Sequence, residues 1–347
     1  MLSEELPQVI LGGGVFNTQM NEDPEALPVA EIVRRAFDAG VTAIDTSPYY
    51  GPSEELIGRA LGDPRVADKY AREDYVLITK CGRLGLDTFD YSPAQVHRSV
   101  ARSMRRFGTS YLDVVFCHDV EFVSEDEVVA AFAALCALQL EGKVRYVGIS
   151  SYHPHVISRL VPRLRAACGR APDVVQNYAH FTIQNTTLGI HAQFWLAQGV
   201  DCVLNSSPLN MGLLSGRPAA AFHPASQGLR DAAMRAAQHC AQHEALSLPE
   251  VALRYVLGKY NEQRDSNGGG FVINGISFVE ELDALLAVVA DVFEPTDGPK
   301  PVTNRMTLNR KRLQELEPVF ERVRAQFGEY LDVEWESPPP DFVRRTP

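Results

Sequence analysis

"AIDTSPYYG", Ala43 to Gly51, starts as a buried strand and finishes as something else. Ala43 and Ile44 are apolar, but Asp45 then places a carboxylate where the apolar run should continue. Two hydroxyls, a proline, two adjacent tyrosines and a glycine follow. A core strand has no use for Asp45, and a plain turn has none for paired aromatic hydroxyls. In a barrel of parallel strands, chemistry gathers at the C-terminal strand ends. The fold therefore turns on whether other strands of this chain end in the same way.

They do. The apolar runs Val9–Val15, Tyr75–Lys80, Leu112–Cys117, Val144–Ser150, Asp173–Asn177, Asp201–Ser206 and Phe271–Gly275 join Ala43–Thr46 to give eight strand candidates. Their near-continuous apolar character suits strands covered on both faces. Read in order, their ends present Asp45, Lys80, His118, Ser150, Gln176 and Ser206, with Tyr50 just beyond Asp45. Helical periods fill the gaps. Pro28 opens one with Val29, Ile32, Val33, Ala36 and Phe37 on a single face. Ser53 precedes Glu54 and Glu55, Ser92-Pro93 starts a helix stopped by Gly108, and Ser124 with Glu127 reads as a capping box. Further helices fit Pro154–Arg165, Ser226–His243, Pro249–Leu257 and Val279–Val289. This alternation gives an α/β fold, a (β/α)8 TIM barrel spanning 1–347 as one domain, with a C-terminal tail from about Leu331. A doubly wound sheet is the alternative. Its glycine-rich turn should lead into a helix, whereas Gly12–Gly14 leads into "VFNTQMNED".

A net charge of −11 and a pI of about 5.3 argue against a nucleic-acid backbone or an anionic membrane as partner. The six cysteines are scattered without a CxxC pair, and several sit in apolar runs, as reduced core thiols of a cytoplasmic protein do. No signal peptide is visible in "MLSEELPQVI", and no apolar run is long enough to span a bilayer. His239 and His243 are spaced as zinc pairs are but lack a metalloprotease glutamate, so they read as a helix face, and no metal site is expected.

Asp45, Tyr50, Lys80 and His118 form a chemically coherent set. A tyrosine serves as acid or base if its pKa, about 10 unperturbed, is lowered. A nearby lysine ammonium lowers it by favouring the phenolate. An aspartate holds that lysine charged, and a histidine orients a carbonyl or hydroxyl. Each residue alone has a plainer reading: an ion pair, a tyrosine corner, a satisfied core histidine. Four on one rim do not.

The stretches "GVTAIDTSPYYG", "VLITKCGR", "LDVVFCHD", "GKVRYVGIS" and "SPLNMGLLSG" resemble the aldo-keto reductase superfamily, from about Val9 to Leu316. "DTSPYYG", "TKCGR", "CHDVEF" and "FHPAS" most resemble its L-galactose dehydrogenase and D-arabinose 1-dehydrogenase branch. The resemblance implies a nicotinamide dinucleotide bound in extended form. It also implies that Asp45, Tyr50, Lys80 and His118 are the catalytic residues, with Tyr50 transferring the proton. By the same resemblance Ser150, Ser151 and Gln176 meet the nicotinamide carboxamide, and Ser206, Ser207, Pro208 and Leu209 follow the pyrophosphate. Ser206 replaces a stacking tyrosine of many relatives, which leaves that partner unassigned. Phe16 reads either as a wall of the substrate cup or as a hydrophobic plug. Tyr50 and His118 also face the substrate.

At the adenosine end Gly275 and Ser277 fit the family pattern, while Glu281 replaces a glutamine. No Lys or Arg occurs from Phe271 to Asp291, and a 2′-phosphate normally needs a cation. NAD is therefore expected over NADP, unless Arg264 folds over the site. The expected function is NAD-dependent oxidation of a sugar, an aldose of D-arabinose, L-galactose or L-fucose type, at C1 to its lactone. The alternatives are an NADPH-dependent carbonyl reductase and, more remotely, a non-catalytic barrel that senses a cofactor. The oligomeric state is not legible.

Overall fold

Eight parallel strands pair in chain order and close on themselves. They are β1 (Val9–Gly12), β2 (Ala43–Asp45), β3 (Val76–Cys81), β4 (Leu112–His118), β5 (Val144–Ser151), β6 (Val174–Tyr178), β7 (Cys202–Ser206) and β8 (Phe271–Gly275). β8 returns to β1 with Val9 opposite Val272 and Gly12 opposite Gly275. No edge is left open, so the fold is the (β/α)8 barrel and not the doubly wound sheet. The computed structural model describes residues 1–263, 270–294 and 306–345.

The first strand is shorter than its apolar run. After Gly12 the chain tightens into a single 3-10 turn, Gly13–Val15. A side chain on Gly13 would collide with Ser53 Oγ and Ile57, so the close packing of this turn on the next helix requires glycine. Helix boundaries follow their punctuation. Ser92 Oγ accepts from the Gln95 N–H, Pro93 follows, and Gly108 ends that helix in the left-handed region at φ 66. Ser124 and Glu127 form the reciprocal capping box that opens Glu125–Leu140.

Among the described residues, the short helices Leu2–Glu5 and Pro64–Ala67 and two long ones depart from the periodicity of the sequence. Leu188–Ala197 carries "LGIHAQFWLA", apolar nearly all round, so no periodic face marks it. Arg310–Ala325 contains Pro318, a residue that ordinarily argues against a helix interior.

The barrel is filled, not hollow. Ile10, Ile78, Val114, Phe116, Leu204 and Phe271 pack inside it, and Leu2 and Leu6 plug its floor from the short helix Leu2–Glu5. A larger apolar layer joins the strands to the outer helices. At the opposite mouth lies the tail. Asp332 N–H donates to the Gln184 carbonyl at 2.9 Å, and Trp335 stacks on Tyr152 with ring centroids 4.6 Å apart. Phe342 packs edge-on against Phe122, and Arg344 donates to the Phe89 carbonyl at 2.9 Å. Residues 331–345 thus cross the C-terminal ends of β3 to β6. Among the described residues no helix is long and apolar enough to cross a membrane. All six cysteines are free thiols.

Candidate active site

β2 and β3 run side by side, with Asp45 opposite Ile78. Lys80 therefore rises beside Asp45 from the neighbouring strand. Its Nζ donates to Asp45 Oδ1 at 2.8 Å, to Oδ2 at 2.9 Å and to the Thr46 carbonyl at 2.9 Å. The two side chains are only 1% and 5% exposed, so neither charge is tolerable without the other. Burial still holds the Asp45 carboxyl above its usual range, with Lys80 pulling it down.

Tyr50 is delivered by a turn. Its N–H donates to the Ser47 carbonyl at 3.0 Å, which folds the loop back over the pair. Lys80 Nζ lies 5.1 Å from the centre of the Tyr50 ring, and His118 stands edge-on to that ring at 5.6 Å and 88°. The Tyr50 hydroxyl has no hydrogen-bond partner among the described residues. Burial, and then the negative charges of Asp45 and Asp119, push the phenol well above its ordinary value. The lowering expected from Lys80 is not found: the lysine donates to both oxygens of Asp45 instead, and the phenol stands above its ordinary value.

His118 Nδ1 is 3.1 Å from Ser47 Oγ, and Nε2 is 3.4 Å from Asp119 Oδ2. Burial pushes the imidazole down to about 3, so it is neutral at physiological pH. Beside it the chain turns at Gly82, φ 99, where a side chain would run into the Tyr91 ring. The turn brings Arg83 over the rim. Its guanidinium carbon sits 4.0 Å from the centre of the Tyr49 ring; Nη2 donates to Tyr49 Oη at 3.1 Å and Nη1 to Asp119 Oδ2.

These groups share one cleft of about 380 Å³, which Ser150, Gln176, Ser206, Ser207 and Gly275 also line. Ser150 and Gln176 stand opposite each other across β5 and β6, as do Ser206 and Tyr178 across β6 and β7. Gln176 Nε2 donates to Asp45 Oδ1 at 3.4 Å, whereas its buried Oε1 has no partner among the described residues. A buried carbonyl oxygen left this way is costly. Ser150 with Gln176 fits the donor and acceptor needs of a primary carboxamide, the group a nicotinamide carries.

Other candidates lie elsewhere. Phe16 is fully buried in the main apolar layer and does not line the cleft, whereas Val15 does. Ser151 is fully buried, and Pro208 and Leu209 are likewise absent from the lining. Ser277 and Glu281 lie beyond Gly275. There Glu281 Oε2 accepts from the Ser277 N–H at 2.7 Å, and Ser277 Oγ meets Asn21 Nδ2 at 3.0 Å. Arg264 lies outside the described residues.

The structure adds Arg83, Asp119, Tyr178 and Trp335 to the cleft. Arg83 and Asp119 stand just past strand ends, in "TKCGR" and "CHD", where polar residues continue beyond an apolar run. The tail is clasped by Glu334, whose carboxylate lies 3.3 Å from His153 Nδ1 and 3.3 Å from His180 Nε2. These two histidines hold Glu334 well below the usual carboxylate range. His239, the other histidine of note, pairs with Glu244 at 3.1 Å.

A sequence model of the aldo/keto reductase family matches residues 8–297. The chain is 35% identical over 340 residues to D-arabinose 1-dehydrogenase of Saccharomyces cerevisiae, covering 96% of this chain and 95% of that one. It is 31% identical over 315 residues to L-galactose dehydrogenase of Arabidopsis thaliana, covering 90% and 88%. An aldo-keto reductase of Bacillus halodurans, solved in its holo form, shares the fold with a TM-score of 0.64 at 21% identity, covering 95% of this chain and 94% of that one.

Proposed function

Since this chain belongs to the aldo/keto reductase family, whose members use nicotinamide cofactors, we propose that it is an aldose 1-dehydrogenase. It oxidises the anomeric carbon of a D-arabinose-, L-galactose- or L-fucose-type sugar to the lactone. The observation that carries the reading is a Tyr50 hydroxyl, without a hydrogen-bond partner among the described residues, set between a buried Lys80–Asp45 pair and a neutral His118. The two relatives named above are by their names dehydrogenases of D-arabinose, at position 1, and of L-galactose, and the chain covers nearly all of each.

A nicotinamide dinucleotide, when bound, supplies the hydride acceptor. Ser150 and Gln176 would hold its carboxamide. Tyr178, which faces the cleft opposite Ser206, offers the aromatic ring that Ser206 lacks. The remaining chemistry belongs to this chain's side chains. His118 orients the anomeric hydroxyl by hydrogen bonding, and Tyr50 takes its proton. Lys80 and Asp45 form the rigid charged floor beneath them. In the reverse direction the same phenol donates the proton, so a phenol held above its ordinary pKa is well suited to reduction, and oxidation gains as pH rises.

The cofactor is NAD in this reading. Phe271 to Asp291 contains no lysine or arginine, and Glu281 places a carboxylate beside Ser277, where a 2′-phosphate would be repelled. A panel of aldoses assayed separately with NAD and NADP tests the whole proposal. We expect D-arabinose, L-fucose or L-galactose to lead, and NAD to exceed NADP by about tenfold or more in kcat/KM. D-glucose or D-galactose leading the panel would refute the substrate assignment. Equal efficiency with both cofactors would refute the cofactor assignment.

A further inference from the structure

Asp119 and Arg83 take no part in the proton transfer described above, yet both line its cleft. Their arrangement fits a ligand with hydroxyls on neighbouring carbons. We propose that Asp119, held in place by Arg83, accepts a hydrogen bond from the hydroxyl next to the reacting carbon and makes that hydroxyl a requirement for turnover. The inference rests on the aldose reading and names the sugar contact that reading leaves unassigned.

The geometry starts from His118. Its Nε2 lies 3.4 Å from Asp119 Oδ2. Neighbouring hydroxyl oxygens on a sugar ring are spaced about as far apart as a hydrogen bond is long. If His118 Nε2 and the Tyr50 hydroxyl hold the anomeric oxygen, the next oxygen along the ring comes within reach of the Asp119 carboxylate. That carboxylate has capacity to spare. Arg83 occupies Oδ2, whereas Oδ1 has no hydrogen-bond partner among the described residues. An ionised carboxylate only accepts, so it selects a hydroxyl and gains nothing from a bare methylene.

The residue is also fixed in position. Asp119 sits in the left-handed region at φ 56, a conformation aspartate tolerates better than most side chains. Arg83 is anchored by the Gly85 and Leu86 carbonyls, both at 3.2 Å, and its guanidinium carbon lies 5.3 Å and 5.2 Å from the Phe89 and Phe122 rings. The positive charges facing Asp119 are Arg83 and Lys80; His118 beside it is neutral at physiological pH, and the neighbouring Glu121 carboxyl is pushed up to about 7 by burial and by Asp119 itself. Burial pushes the Asp119 carboxyl upward, but the cationic neighbours and the hydrogen bond from Arg83 outweigh it and hold it below its ordinary value.

A plainer role for Asp119 would be to orient His118 alone. The two roles differ in how they treat a sugar lacking one hydroxyl. The test compares kcat/KM for D-arabinose and 2-deoxy-D-ribose, which differ only at C2, in the wild type and in Asp119→Asn and Asp119→Ala. The wild type should prefer D-arabinose by about a hundredfold or more, as sites built to bond a hydroxyl do. Both variants should bring the two sugars close together, mainly through loss of D-arabinose turnover. A wild-type preference of a few-fold or less overturns the proposal without any variant, so a failure of either variant to fold leaves it testable. Equal losses on both sugars, with the ratio kept, overturn it in favour of orientation of His118. A wild type that oxidises no aldose brings down the aldose reading and this inference together. One that oxidises aldoses without regard to C2 brings down this inference alone.

Discussion

Replacing Lys80 by methionine keeps most of the side-chain stem and deletes the charge. The substitution removes three hydrogen bonds, two to Asp45 and one to the Thr46 carbonyl. Asp45 would be left 3% exposed, with only the long contact from Gln176 Nε2 at 3.4 Å. Breaking a buried ion pair in this way costs about 3–5 kcal/mol, because the surviving charge is uncompensated. The carboxyl has one escape, which is to bind a proton. Burial already holds it above its usual range while Lys80 pulls it down, so without Lys80 it rises further. A carboxyl whose folded pKa exceeds its unfolded one binds more protons in the folded state. The variant's stability therefore falls as pH rises from the ordinary carboxylate pKa, about 3.9, towards the folded value. The penalty should be larger at pH 8 than at pH 5. Urea unfolding followed through Trp195 and Trp335 fluorescence measures it at both. Adding Asp45→Asn should restore most of the loss, since no charge is then stranded. A Lys80→Met protein within about 1 kcal/mol of wild type at pH 8 would contradict the reading of a buried, mutually dependent pair.

Tyr50→Phe should lower turnover by about 10²–10⁴ while cofactor binding, followed by fluorescence quenching, stays near wild type; retention of most of kcat would exclude Tyr50 as the proton-transfer group. The rate of sugar oxidation should climb with pH through the alkaline range, because the reactive form is the phenolate and burial holds the phenol above its ordinary value. His118 should contribute no break between pH 6 and 7, since it is neutral down to about 3; an inflection there that His118→Gln abolishes would contradict this. Glu334→Gln should loosen the tail from His153 and His180 and raise the sugar KM a few-fold with little change in kcat, in keeping with the modest worth of ion pairs whose carboxylate is a third exposed. An unchanged KM would mean that the clasp does not shape the sugar end of the cleft.

Most of the barrel was legible because the strands are apolar runs, most of them ended by a polar residue, and burial on both faces enforces that pattern. The helix Leu188–Ala197 was not, because Ile190 and Phe194 leave 77% and 42% of their surface exposed and so erase the contrast between its faces. Asp45, Lys80 and His118 could be read from position alone, since a strand end dictates where its side chain emerges. Arg83 and Asp119 could not. Where they point depends on a left-handed glycine at Gly82 and on the left-handed backbone of Asp119 itself. The behaviour of Tyr50 was misjudged for a related reason. Sequence brings a lysine near the phenol but does not reveal that both oxygens of Asp45 have already claimed it. The docking of the tail was hidden because Glu334 meets His153 and His180 only through the completed fold.

The pairing of Val9–Gly12 with Phe271–Gly275 bears on how the molecule is made. During synthesis the first strand finds one neighbour early, in Ala43–Asp45, and the other only when the final strand leaves the ribosome. Until then the nascent chain carries an unsatisfied sheet edge and an interior open to water. Such an edge is a template for pairing with the wrong partner. Newly made chains of this protein should therefore depend on protection from aggregation for most of their translation, and shed that dependence abruptly once the ring closes.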